Sequence, residues 1–195
     1  EFVIFTSVDS WGAQAEYIRH GLEFNRFWDN CHKVLEKCPK VILTYMVTYN
    51  ALSVPNYDKL IRGVYDLKTQ YGSDDRYWNS ATFLDTSYLR HPKHQTVQVL
   101  EPHWADKIYA DAQLVDFLGV PLFEKEYIGY SDVEIQKLKR TFDWMKSPIP
   151  EKQLETQRRN FGYYFRAHDE RRGTDFCATF PELEEFYRKC LEIKI

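Results

Sequence analysis

Two polar clusters, each at the end of an apolar run, contain the residues of this sequence that are best suited to binding a ligand. Ser7 and Asp9 end the first apolar run, and Thr48 and Asn50 end the second. A carboxylate accepts hydrogen bonds from both hydroxyls of a ribose, and hydroxyl or amide side chains can bond the edges of a base or a sugar. The pattern is compatible with a nucleoside-like ligand, although Asp, Ser and Asn are equally suited to capping the turns after two strands.

The elements that must position these residues are the strands of a parallel sheet. Three runs are rich in β-branched and aromatic side chains, namely residues 2–8, 41–49 and 81–89. Helical spacing over 15–37, with a break expected near Gly21, and over 56–70 separates these runs. Strands that alternate with helices predict an α/β fold, and the apolar first strand is expected to be buried on both faces.

The second half of the chain is predicted to be helical. Ser131-Asp-Val-Glu134 has the pattern of a capping box, which begins one helix, and Pro150 begins another that reaches about His168. We therefore divide the chain into an α/β part, residues 1–103, and a helical C-terminal extension, residues 104–195. Three further segments are assigned as a polar loop, a short extended piece and a charged turn: 71–80, 96–100 and 169–174.

Charge and hydropathy limit the classes of partner. The net charge is −3 and no basic run exceeds two residues, as in Arg171-Arg172, so we expect no nucleic-acid partner. We expect neither a membrane-spanning segment nor a signal peptide, and hence a cytoplasmic protein without a membrane partner. The charged run from His168 to Arg172 is either a solvated ion-pair network or a clamp for a carboxylate or phosphate.

The cysteines and histidines do not have the spacing of a metal site. No two cysteines form a CxxC pair, and the histidines beside Pro92 do not form an HExxH pattern. We therefore predict buried or semi-buried, unpaired thiols and no metal ligands in this chain, the residues concerned being Cys31, Cys38, Cys177, Cys190, His91, His94 and His103.

The first strand and the helix after it resemble a region of the radical SAM enzymes. Ser7-Val-Asp9-Ser-Trp-Gly, followed by Ala15-Glu-Tyr-Ile-Arg19-His-Gly, is similar to their fourth strand, which ends in S-x-D-[GS] before a Y-x-x-I-R-x-G-like turn. Residues 41–50 and 82–100 resemble their fifth and sixth strands. The tail from Tyr164 to Tyr187 resembles the end of the twitch-domain branch of this superfamily.

This resemblance implies the C-terminal half of a partial (β/α)6 TIM-like barrel, followed by the helical extension. Such enzymes hold a [4Fe–4S] cluster on a CxxxCxxC loop, and the cluster binds and cleaves S-adenosylmethionine to release a 5′-deoxyadenosyl radical. By this resemblance Ser7 and Asp9 would face the ribose or the methionine end of the cofactor, and Arg19 would pair with its carboxylate. Thr48 and Asn50 would bond the adenine or the ribose.

The sequence departs from the pattern in one decisive respect, because it has neither CxxxCxxC nor the Gly-Gly-Glu segment that grips the methionine amino group. We therefore expect a fragment of a radical enzyme whose cluster ligands lie upstream of Glu1, inactive by itself and without an identifiable catalytic residue. Branches with such extensions suggest a peptide or protein substrate. Two other hypotheses remain, a non-catalytic nucleoside-binding module without a cluster and an unrelated α/β enzyme for a small molecule.

Overall fold

A three-stranded parallel sheet organises the first half of the molecule. The structure is a computed structural model and describes residues 2–72, 80–119 and 129–194. Strands β1 (Phe2–Ser7), β2 (Val41–Tyr49) and β3 (Thr82–Tyr88) lie in the order β1-β2-β3, with every neighbouring pair parallel. The predicted α/β class and the three predicted strands are therefore confirmed.

Helices connect the strands and make up the second half of the described chain. Helix α1 begins just after β1, and α2 begins after a break at Gly21, whose φ of +88° is a conformation that favours glycine. The break predicted near this residue is confirmed. In chain order the helices are α1 (Gly12–Ile18), α2 (Phe24–Lys37), α3 (Tyr57–Tyr71), α4 (Trp104–Phe117), α5 (Asp132–Lys146), α6 (Glu151–Arg172), α7 (Phe176–Thr179) and α8 (Glu184–Glu192).

One face of the sheet is buried under α2 and α3. Tyr45 of β2 stacks on Trp28 of α2, with ring centroids 5.7 Å apart. Tyr57 of α3 shares a 2.6 Å hydrogen bond with Thr86 of β3. Since Tyr45 and Thr86 belong to the same alternating set of side chains, both helices cover the same face, which we call the helix face.

The opposite face, which we call the open face, is partly solvent-exposed, and its exposure is greatest at β1. Val3 and Phe5 on this face are 49% and 63% exposed, and Phe2 and Ile4, which point to the helix side, are 76% and 41% exposed. The prediction that β1 is buried on both faces is therefore wrong for the chain as described. Helix α2 and helix α3 pack over β2 and β3 and leave the β1 side uncovered.

Helix α5 closes the other edge of the sheet. Glu134, in the first turn of α5, accepts a 2.7 Å hydrogen bond from the Leu84 amide on the outer edge of β3. The Lys68 ammonium lies 3.0 Å from the same carboxylate and donates to the Thr82 carbonyl at 2.7 Å. This buried pair links α3, β3 and α5, so an edge that would otherwise be open is occupied by side chains. The predicted capping box of Ser131 and Glu134 is also confirmed.

Two local predictions are wrong. The segment 96–100 is not a strand, because its centre is a single 3₁₀ turn, Val97–Val99, which follows another at Lys93–Gln95. Val97 and Val99 are buried, so the apolar alternation read as a strand reflects turns packed into the core. The charged segment 169–174 is mostly helical, because α6 continues to Arg172 and ends at Gly173, whose φ is +64°.

The two parts predicted from the sequence share one hydrophobic core. Buried side chains of β2 and α3 belong to the same cluster as Phe161 of α6 and Phe186 of α8.

Residues 73–79, most of the predicted polar loop, lie outside the described residues. In the described ranges, none of the helices combines the length and the apolar character required to cross a membrane.

A buried carboxyl on α4 is expected to make stability fall as the pH rises. Asp111 is 2% exposed, and burial raises its pKa to about 7 in spite of the Lys107 ammonium 2.5 Å away. Between pH 4 and pH 7 the folded state holds a proton that the unfolded chain releases, so stability is highest at the acid end of this window. We expect wild-type protein to lose on the order of 2 kcal/mol of unfolding free energy between pH 5 and pH 9 from this group.

Asp111→Asn is expected to flatten that part of the pH dependence. Urea unfolding followed by circular dichroism at pH 5, 7 and 9 measures the difference between variant and wild type, which removes the contribution of histidines common to both. Asp116→Asn on the same helix is the matched control, because its side chain is 57% exposed. Equal pH profiles for wild type and Asp111→Asn would contradict the buried ionisation.

Candidate binding site at the carboxyl edge of the sheet

Asp9 is the centre of the site, and it joins the ends of β1, β2 and α1. Its carboxylate accepts a 2.7 Å hydrogen bond from the Thr48 amide and a 3.2 Å bond from the Arg19 guanidinium. Arg19 Nε also lies 2.8 Å from Asp9 Oδ2. The structure therefore brings together three of the five predicted site residues, which are distant in sequence.

The electrostatics of this cluster depend on burial. Asp9 is almost completely buried, and desolvation raises the pKa of its carboxyl, while the Thr48 amide and the Arg19 charge act in the opposite direction. The Arg19 side chain is 35% exposed. A guanidinium has five N–H donors, so contact with Asp9 leaves donors available to a second anion on the solvent side.

Two hydroxyls stand beside this cluster on the open face. Ser7 is aligned with Met46 in the sheet register, and Thr48 follows two residues later on the same face of β2. The Thr48 side chain is exposed, and neither hydroxyl has a hydrogen-bond partner within the described residues. These groups are free to bond a ligand that lies across the carboxyl ends of β1 and β2.

Asn50 is used by the backbone of its own turn. Its side-chain amide donates to the Thr48 carbonyl at 2.9 Å, and its side-chain oxygen accepts from the Leu52 amide at 2.9 Å. The Asn50 backbone amide donates to the Ser53 hydroxyl at 3.2 Å. These bonds give Asn50 the turn-forming role that its residue type permits.

The charged run from His168 to Arg172 holds the C-terminal helices against α1. Asp169 accepts hydrogen bonds from the Tyr17 hydroxyl at 2.8 Å, the Thr174 hydroxyl at 2.7 Å and the Phe176 amide at 2.8 Å. The His168 ring stacks on Tyr17, and burial lowers the pKa of His168. Within the described residues Asp169 thus holds the tail mainly through hydrogen bonds from neutral groups. The cleft beside them, about 90 Å³, is far smaller than a typical ligand pocket of about 300 to 1,000 Å³.

A pocket at the carboxyl end of β3 was not predicted from the sequence. This pocket has a volume of about 280 Å³, and three cationic side chains contribute to its lining, namely Arg90, Lys137 and Arg140. Lys137 and Arg140 lie three residues apart on α5, and this spacing was the available signal. The position of α5 against β3 depends on contacts between residues about 50 positions apart, which sequence periodicity does not report.

The described residues do not provide a metal centre. Within the ranges that the structure covers, no group of three His, Cys, Asp or Glu side chains is close enough to hold a metal ion. The four thiols are unpaired, with Cys31 and Cys190 buried and Cys38 exposed. The donor set of the site consists of hydroxyls, one carboxylate and one guanidinium, which suits an organic ligand better than an iron–sulfur cluster.

Fold and site together define a parallel α/β sheet with a polar cluster at the carboxyl ends of its strands, where such folds bind ligands. Comparison with protein-family models, with curated proteins and with solved structures yields no match to this chain.

Proposed function

We propose that this chain supplies the nucleoside-binding half of a radical SAM-type enzyme. The observation that carries the proposal is the cluster of Asp9, Arg19 and Thr48 at the carboxyl edge, with free hydroxyls beside it on the open face. Hydroxyl side chains match ribose donors and acceptors, and a guanidinium matches a carboxylate. S-adenosylmethionine contains both of these groups.

The finer fold in this proposal is the back half of a partial (β/α)6 TIM-like barrel. In such a barrel the helices cover the outside of the strands, and the other face lines the interior. The sheet described here has one face under α2 and α3 and an open face with exposed apolar side chains on β1. We propose that further parallel strands extend the sheet beyond β1 and cover these side chains.

Each site residue has a distinct role in the proposed complex. Thr48 and Ser7 bond the ribose hydroxyls from the open face, and Arg19 presents its remaining donors to the cofactor carboxylate. Asp9 fixes the Arg19 side chain in place and ties β1 to β2, so it positions the arginine and is not itself required to touch the ligand. Asn50 shapes the turn that follows β2.

The cluster chemistry belongs to the rest of the proposed enzyme. When bound, a [4Fe–4S] cluster supplies the electron that cleaves the cofactor, and the cysteines of this chain do not form a ligand set for it within the described residues. The residues of this chain would bind and orient the nucleoside. A peptide or protein side chain is the proposed substrate, and a reducing cytoplasmic location agrees with four unpaired thiols.

Binding of S-adenosylmethionine in the absence of iron tests the proposal. We expect isothermal titration calorimetry to detect weak binding to wild-type protein, and Ser7→Ala combined with Thr48→Val to weaken it about tenfold, because two neutral hydrogen bonds are lost. Thr6→Val is the matched control, since Thr6 lies on β1 and points to the helix face. Thr48→Val leaves the backbone amide that Asp9 binds unchanged.

The same titration separates the proposal from its alternatives. No binding by wild-type protein, or equal weakening by Thr6→Val and by the double variant, would reject the nucleoside site. If wild-type protein binds S-adenosylmethionine, two hypotheses remain, the radical enzyme and the non-catalytic module. The gene sequence upstream of the Glu1 codon distinguishes them. An in-frame CxxxCxxC supports the radical enzyme, and a start codon at that place supports the module.

A further inference from the structure

We infer that the pocket at the carboxyl end of β3 is a second binding site, specific for the phosphate or carboxylate group of an anionic small molecule. The pocket has a volume of about 280 Å³ and is lined by Thr86, Ser87, Tyr88, Arg90, Lys137 and Arg140. This volume is just below the range of drug-sized ligand sites, about 300 to 1,000 Å³, and suits a small anionic group. It occupies the edge of a parallel sheet at which ligands bind.

The charge of the pocket is positive and largely uncompensated. Lys137 pairs with Asp85 of β3. By contrast, no carboxylate of the described residues lies within ion-pair distance of Arg90 or Arg140, and no acidic residue is among those that line the pocket. Because Lys137 is paired, the guanidinium groups of Arg90 and Arg140 are the two cations of the lining without a carboxylate partner among the described residues.

Arg90 is held in place by aromatic contacts before any ligand binds. Its guanidinium lies 5.2 Å from the centre of the Tyr88 ring and donates a 3.0 Å hydrogen bond to the Tyr88 hydroxyl. Tyr88 in turn stacks on Trp144 of α5, with ring centroids 5.2 Å apart. This stacking restricts the rotamers of a long side chain, which lowers the entropy cost of binding an anion.

Arg140 lines the same pocket from α5. It projects from α5, and its Nε donates to the Gln136 carbonyl one turn earlier at 3.3 Å. Its terminal N–H groups remain available, and the exposed Ser87 on β3 adds a hydroxyl donor to the lining. Two guanidinium forks and a hydroxyl are the groups that recognise a phosphate or a carboxylate by charge-assisted hydrogen bonds.

This site is independent of the proposed nucleoside site. Its residues lie on β3, α5 and the segment after β3, whereas the Asp9 cluster joins β1, β2 and α1. The inference therefore holds whether or not the chain binds S-adenosylmethionine. An anionic ligand at this edge would lie beside the open face of the sheet, where Phe83 and Asp85 are also placed.

Titration with inorganic pyrophosphate and with succinate, at constant ionic strength, tests the inference. We expect wild-type protein to bind at least one of the two probes, Arg90→Gln and Arg140→Gln each to weaken binding about tenfold, and the double variant to weaken it about a hundredfold. Tighter binding of pyrophosphate identifies a phosphorylated ligand, and tighter binding of succinate identifies a carboxylate. Thermal unfolding checks that both variants fold like wild type.

Two controls make the result decisive. Arg26→Gln removes an arginine of α2 whose side chain is 74% exposed, and we expect it to leave probe binding within about twofold of wild type. Thr6→Val, on the helix face of β1, should also leave pyrophosphate and succinate binding unchanged. Absence of binding beyond that of matched sodium chloride, or equal weakening by Arg26→Gln and the double variant, would overturn the inference.

Discussion

Replacing Glu134 by alanine is expected to lower the free energy of unfolding by about 3 to 5 kcal/mol. Glu134 and Lys68 are each 2% exposed, and their side chains approach to 3.0 Å. Loss of the carboxylate leaves the Lys68 ammonium buried without its counter-charge and the Leu84 amide of β3 without its acceptor. Both penalties act on the same edge of the sheet.

Urea denaturation followed by circular dichroism at pH 7 measures this change. Glu155→Ala is the matched control, because Glu155 is exposed on α6, and we expect it to alter stability by less than about 0.5 kcal/mol. Lys68→Met combined with Glu134→Leu should recover much of the loss, since apolar side chains of similar size carry no desolvation cost. A loss below about 1 kcal/mol in Glu134→Ala would contradict the structural role of the pair.

Gly63→Ala is expected to destabilise the protein by roughly 2 to 3 kcal/mol through overpacking. A Cβ atom at Gly63 would lie 2.6 Å from Trp11 Cη2 and 2.9 Å from Trp28 Cζ2, distances that packed atoms do not tolerate. These rings are also packed against Phe24 and Tyr45 and so cannot move aside easily. In the interior of an exposed helix the same change would instead stabilise by about 1 kcal/mol.

Equilibrium unfolding monitored by tryptophan fluorescence tests the overpacking, because the added methyl group would displace the fluorescent rings of Trp11 and Trp28. Asp66→Ala, at an exposed position of the same helix, controls for the general effect of an added alanine. Trp11→Phe in the Gly63→Ala background should restore part of the stability, since the smaller ring makes room for the methyl group. Gly63→Ala that is as stable as wild type would show that the aromatic cluster can repack.

The sequence predicted correctly those helix ends that depend on residues adjacent in the chain. The helix break at Gly21 follows from backbone freedom at glycine, and the start of α5 follows from the reciprocal hydrogen bonds of Ser131 and Glu134. Alternation failed at 96–100, where one 3₁₀ turn buries Val97 and Val99. A short apolar run has the same composition in either structure, so packing decides between them.

The site was predicted only in part for the same reason. Asp9 and Thr48 could be placed at one edge because the carboxyl ends of parallel strands meet there. The pairing of Asp9 with Arg19 and the exposure of β1 were not evident from the sequence. Each depends on the distances between elements and on which surfaces the helices cover.

The sequence by itself determined the α/β class, the positions of three parallel strands and the polar residues at the ends of two of them, because strand period and turn chemistry are local properties. Only the tertiary structure decided that α5 seals the β3 edge through Glu134 and brings Arg140 to the same pocket as Arg90. Contacts between residues about 50 positions apart depend on how amphipathic faces pack, and many arrangements satisfy the same local pattern.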